Sequence, residues 1–280
     1  MKEIKSGKLI SFVFYMIILI FVIVQSYPVV WVILSSFKSG EDLAGTVPYA
    51  LPTAFYLGNY EKALFSSKLV RYFLNSTVVA AITLIGIIVF GAPTAYAISK
   101  IKFKQSKNLL AFFLIGMMVP IFSCLIPMFQ IYNNLGLRNT YLSLILPQVG
   151  FGLPMCIYLY TGFMKFVPNE LMEAAAIDGA GHWTTFLKIM LPMAKNSTVT
   201  IIIYNFVSIW NEFTYANTFM TKVNMKTLPI GLNDFVGEMG RRDWGATFAT
   251  IVIAIVPTMI IYFILNKQVM EGMAAGAVKN

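Results

Sequence analysis

Stretches of more than 20 residues without a charged side chain recur along this chain, the first inside "LISFVFYMIILIFVIVQSYPVVWVIL". A helix of about 20 such residues crosses a ~30 Å hydrocarbon core, and nothing else buries so continuous an apolar run as economically. Only 12% of the 280 residues are charged, against about 25% in soluble domains. These blocks predict an all-α integral membrane protein. The net charge of +9 belongs to helix flanks and loops, as the positive-inside rule expects. With no aromatic-plus-basic motif, nucleic acid is not an expected partner.

Six spans are expected, at 10–34, 75–98, 108–130, 141–164, 197–219 and 245–266, in one domain covering 1–280. The first follows a basic start and resembles a signal peptide. Its apolar run is too long for one and lacks a small-residue cleavage pattern, so an uncleaved first span is expected. Pro120, Pro127, Pro147 and Pro154 lie in the third and fourth spans and predict kinks. Kinked helices suit a cavity wall, but irregular packing accounts for the prolines equally well. The lysines of "SKIKFKQSK" mark 99–107 as cytoplasmic, although the overall charge bias is modest. Six spans then place both termini inside, along with 168–192. The segments 35–74, 131–140 and 220–244 face outward.

The chemistry a solitary machine would need is missing. Cys124 and Cys156 lie in apolar blocks and read as buried thiols. The single histidine, His182, has no companion at ligand spacing, so no metal site is expected. No phosphate-binding G-x-x-x-x-G-K-[ST] loop occurs. Of the intramembrane positions only Glu212 is ionisable, too little for an ion-coupled transporter. The chain is not expected to be an enzyme or to bind a cofactor, so active transport would draw energy from a partner.

The segment "FVPNELMEAAAIDGAGHWTTFLKIMLP" is expected to form a compact cytoplasmic hairpin. Pro168 and Glu170 are helix-start signals, and the alanines favour helix. Gly179 stands where a helix end needs a left-handed residue. A second short helix is expected from His182 to Met190. Ala174, Ala175 and Ala176 would let another surface approach closely, with Glu173 offered to a basic group. An interfacial connection lying on the bilayer fits the same residues.

In the fifth span, "YNFVSIWNEFTYAN" contains Tyr204, Asn205, Ser208, Trp210, Asn211 and Glu212. Helical spacing puts Asn205, Ser208 and Glu212 on one face. That stripe lines either a pathway or a helix–helix hydrogen-bond network.

The spacing Glu173-Ala174-Ala175, three residues, Gly179, nine residues, Ile189-Met190-Leu191-Pro192 resembles the EAA signature of ATP-binding-cassette importer permeases. "SSFKSGEDL", "GNYEKAL", "YFLNST", "WNEF", "LPIGLNDF", "DWGATFAT" and the ending "KQVMEGMAAGAVKN" resemble the carbohydrate-uptake branch, in particular the smaller membrane subunit of maltose-type importers. The resemblance covers nearly the whole chain.

It implies a type I importer permease fold in a bacterial cytoplasmic membrane. It further implies a second permease subunit in a heterodimer, two ATPase subunits that bind ATP and Mg, and an external solute-binding protein. Glu173, Ala174, Ala175, Asp178, Gly179, Ile189, Leu191 and Pro192 would form a coupling helix seated on the ATPase. The tail "AAGAVKN" would also approach the ATPase. Leu228, Pro229, Gly231, Leu232 and Asn233, up to Phe235, would meet the binding protein, and the solute would be a sugar or oligosaccharide. A permease for a non-sugar solute is one alternative. A stand-alone secondary transporter and a membrane-embedded enzyme are others.

Overall fold

The computed structural model describes residues 2–277 except 46, 48, 66–67, 102 and 236–241, and for 2–10, 235 and 267–277 it describes the backbone alone. The expected tail contact and the end of the outer loop at Phe235 fall on these residues, as do the lysines at 2, 5 and 8 and the loop lysine at 102.

All the longer regular elements are helices: α1 Lys2–Ser35, α2 Gly40–Gly45, α3 Gly58–Phe65, α4 Leu69–Lys100, α5 Ser106–Gly116, α6 Ile121–Asn134 and α7 Leu142–Lys165. There follow α8 Glu170–Ile177, α9 His182–Thr185, a π-helical turn Phe186–Met190, α10 Leu191–Met193, α11 Lys195–Trp210, α12 Thr214–Phe219, α13 Leu228–Gly231 and α14 Trp244–Ala277. Among the described residues four are long and apolar enough to cross a bilayer: Ser11–Ser35, Leu69–Lys100, Leu142–Lys165 and Trp244–Asn266. The number rises to six if each of two bent pairs counts as one span.

The bent pairs are Ser106–Gly116 with Ile121–Asn134, and His182–Met193 with Lys195–Trp210 at 74°, and two of the expected spans are not single helices. Segment 108–130 divides between α5 and α6, which meet at 89°. Pro120 precedes α6 and has no N–H to continue α5. The other expected kinks are not breaks, since Pro127 lies within α6 and Pro147 and Pro154 lie within α7. Segment 197–219 is α11, then an irregular stretch at 211–213, then α12. The 16 residues of α11 rise about 24 Å, short of a ~30 Å core.

The chain forms two compact units. The first comprises 1–69 and 232–255. Here Asn59 of "GNYEKAL" donates its amide to the carbonyl oxygens of Ser36 and Lys38 in "SSFKSGEDL" at 2.9 and 2.7 Å. A Cβ on Gly245 would meet Asn59 Oδ1 at 2.3 Å, so the "DWGATFAT" glycine admits this side chain. Asp42 accepts from Thr53, and Tyr60 shares a hydrogen bond with Ser36. Motifs that look scattered in sequence are therefore fasteners for one another.

The second unit comprises 70–231 and 256–280. α7 packs on α5, α11 and α12. Ile87, Leu144, Cys156, Ile157, Tyr160, Met164, Met190 and Ile201 are buried in its core. Both cysteines are free. α4 has Asn75 near one end and Lys100 at the other, and two of this unit's three candidate sites gather at those ends.

Candidate functional site

The hairpin starts at Asn169, whose carbonyl oxygen accepts from Met172 and Glu173. Pro168, expected as the first helical residue, thus stands before the cap, where its missing N–H costs nothing. α8 closes with the N–H of Gly179 on Ala176 and that of Ala180 on Ala175 at 3.0 and 2.8 Å. This is a Schellman end, and it requires the observed φ of +78° at Gly179. The second helix is longer than expected and not uniformly α. It begins at His182, opens into the π turn, and runs on to Met193.

Burial separates the motif residues. Glu173, Ala174, Asp178, Gly179 and Pro192 are exposed, Ile189 and Leu191 are half-buried, and Ala175 is buried. Ala175 therefore packs inward, which corrects the expectation that all three alanines form an open face. Ala174 and Ala176 stay exposed, and so do two large apolar side chains of the hairpin: Ile177 is 86% exposed and Trp183 68% exposed. Sequence reading passed over both. The available signal was an isoleucine and a tryptophan on either side of a glycine turn in a polar loop.

Behind α8 lies an open groove of about 890 Å³ lined by Ser99, Lys100, Lys104, Asn169, Glu173 and His182 among others. Lys100 Nζ donates to the Val167 carbonyl oxygen and to Asn169 Oδ1. Tyr96, one turn earlier, packs its ring 5.5 Å from that of Phe186, and its hydroxyl faces Met172 Sδ at 4.0 Å. Phe186, Met190 and Ala194 form the buried stripe of the return arm.

The candidate pathway residues do not form the expected stripe. Asn205 is buried, donates to the Ile201 carbonyl oxygen, and presses against Gly152 of α7, where a Cβ would come within 3.1 Å of its Oδ1. Trp210 is buried, stacked on Phe206 and edge-on to Phe73. Glu212 lies past the end of α11, and its carboxylate accepts from the N–H groups of Tyr215 and Ala216 at 2.6 and 3.0 Å. It holds the start of α12 rather than extending the α11 face. The exposed members are Tyr204 and Ser208, four apart on one face of α11, and Asn211, which directly follows that helix and donates its amide to the Val207 carbonyl oxygen.

At the opposite end of α4, the loop 223–231 is fastened down. The Asn75 amide donates to the carbonyl oxygens of Asn224 and Lys226, and its Oδ1 accepts from Tyr141 at 2.7 Å. Ser76 Oγ accepts the N–H of Leu228. Leu228 and Gly231 are consequently buried, Pro229 and Leu232 half-buried, and only Asn233 of the expected contact residues is exposed. Asn139, at φ 58°, accepts the N–H groups of Thr221 and Lys222 through its Oδ1 and ties a second loop to this end.

Residues 87–273 match the model of a protein family described as "Binding-protein-dependent transport system inner membrane component". The chain belongs to this family. The match includes the hairpin, α11 and the fastened loop. The permease is 31% identical over 261 residues to the diacetylchitobiose uptake system permease protein NgcG of Streptomyces coelicolor, across 93% of this chain and 86% of that relative. It is 32% identical to the multiple sugar-binding transport system permease protein MsmG of Streptococcus mutans, across 98% and 99% of the two chains. Its fold is that of a chain in a bacterial ABC transporter involved in the import of alginate, with a TM-score of 0.82, 20% identity, and coverage of 94% and 97%. The family consists of transport proteins of the inner membrane and not of enzymes.

Proposed function

We propose that this permease forms half of the membrane pathway of an ATP-driven importer for sugars or oligosaccharides. The observation that carries the coupling half of this reading is the hairpin. Its Schellman turn and buried Ala175 make a compact knob that exposes the apolar side chains of Ile177 and Trp183. A knob of that kind suits a groove on a second protein better than it suits water. A partner ATPase fits, and that partner would bind ATP and Mg. The carbohydrate half rests on relatives whose names specify diacetylchitobiose and multiple sugars.

In this reading 99–107 and 168–192 face the cytoplasm, as do both termini. A second, different permease chain completes the pathway opposite Tyr204, Ser208 and Asn211. Those three side chains meet the solute or the water around it, because polar side chains at membrane depth face protein or a cavity. The irregular backbone at 211–213 supports this, being tolerated in a bilayer only where protein or a cavity satisfies it. Asn233 and its exposed neighbour Asp234 offer the contact to a solute-binding protein.

The experiment is reconstitution of the complete transporter in liposomes, with uptake of radiolabelled oligosaccharides measured with and without ATP. ATP-dependent uptake that requires the binding protein supports the proposal. ATP-independent uptake, or ATP-driven uptake of non-carbohydrate solutes alone, overturns it.

A further inference from the structure

We infer that Lys100 and Asn75 are positioning residues at the two ends of one transmission rod, α4, which ties the state of the coupling hairpin to that of the outer loop 223–231. The inference rests on the proposed coupling function above. The hairpin is held to α4 at three points. Its root is bound through Lys100 to Val167 and Asn169. Its first arm touches Tyr96 through Met172, and its return arm touches Tyr96 through Phe186. Tyr96 and Lys100 are one turn apart and share a face. Val167 lies just past the end of α7, where carbonyl oxygens lack helical partners. The ammonium supplies a charge-assisted bond there, about twice as strong as a neutral one.

The other end of α4 has a matching grip. Asn75 binds two carbonyl oxygens of the loop, and Ser76 binds the N–H of Leu228. Between Asn75 and Lys100 the helix is continuous and passes through Pro93 without a break. That span is about 37 Å at the helical rise. A hairpin displaced by the ATPase must either carry α4 with it or break the bonds to Lys100. A loop displaced by the binding protein faces the same choice at Asn75. Coupling free energies are reciprocal, so a signal passing one way along α4 passes the other way also.

The test uses the reconstituted transporter and measures how far the solute-loaded binding protein stimulates ATP hydrolysis, together with the amount of ATPase subunit retained. Lys100→Met and Asn75→Leu are each expected to retain the ATPase subunits yet lose stimulation by at least about fivefold, the low end of typical coupling. Lys100→Arg, which keeps the donors, is expected to restore most of it. Because the two residues act in series, the double variant is expected to lose no more than the weaker single one. Normal stimulation in either single variant, multiplying losses in the double variant, or loss of the ATPase subunit from Lys100→Met overturns the inference. Failure of the wild-type transporter to couple ATP to uptake would instead count against the proposed function.

Discussion

The side-chain amide of Asn75 donates to the carbonyl oxygen of Lys226 across 2.8 Å, joining residues 151 positions apart in sequence. The same amide reaches Asn224. Asn75→Leu removes both donors and the acceptor used by Tyr141, and each buried group left unpaired costs about 1–3 kcal/mol. The variant is expected to remain inserted but to expose 221–231 to proteolysis from the outer side. Cleavage at the wild-type rate would show that the loop is held by other contacts.

Gly179 makes a second, separable prediction. Nothing lies within 4 Å of a Cβ at this position, so only its φ of +78° selects glycine. Gly179→Val should therefore strain the backbone by about 1–3 kcal/mol and distort the knob. ATPase retention or uptake per ATP should fall while the spans still insert. Gly179→Asn should be close to normal, because asparagine accepts the left-handed region. Equal defects in the two variants would point to side-chain bulk instead.

The α11 residues divide into two groups with different expected phenotypes. Tyr204→Ala, Ser208→Ala and Asn211→Ala should shift the half-saturating concentration or rate of uptake with normal protein yield. Asn205→Leu and Glu212→Ala should lower the yield of assembled transporter instead. The first leaves a crowded site against Gly152, and the second removes the acceptor at the start of α12, with capping worth about 1 kcal/mol. Uptake kinetics beside the amount of protein in the membrane separates the two outcomes.

Asp243 gives a pH dependence. It caps the start of α14, accepting the Ala246 N–H at 3.0 Å and the Lys62 ammonium at 3.1 Å. Burial works against its charged form, but the Ala246 and Gly245 N–H groups and the Lys62 ammonium outweigh it and hold the carboxyl below its usual range. A depressed folded-state value means that this stabilisation is complete above the unfolded value, near about 3.9. It is lost as pH falls through the lower folded value. Thermal unfolding of the detergent-solubilised protein should therefore show a loss below about pH 4 that shrinks in Asp243→Asn. An identical acid profile in the variant would remove Asp243 from the account.

The Schellman turn was legible in the sequence because it depends on neighbours in the chain. Glycine after an alanine-rich helix is a local signal, and the structure puts Gly179 at that position. The face of α11 was not legible in the same way. Helical spacing gave Asn205, Ser208 and Glu212 one side, but the helix stops at Trp210 and Glu212 turns to serve α12. Where a helix ends depends on what its last carbonyl oxygens and the next N–H groups find nearby, and Asn211, a single turn residue inside an apolar segment, does not by itself mark the end.

By itself the sequence determined the membrane character, the hairpin and the resemblance to importer permeases, because charge-free length, local helix chemistry and motif spacing are one-dimensional quantities. The tertiary structure decided which side of each helix is open. It buried Ala175, Asn205, Trp210 and Leu228 and left Ile177, Tyr204, Ser208 and Asn233 exposed. It also joined "GNYEKAL" to "SSFKSGEDL", and Asn75 to a loop some 150 positions later in the chain. Contacts at such separations depend on how the helices pack against one another, and no periodicity within a single segment encodes that.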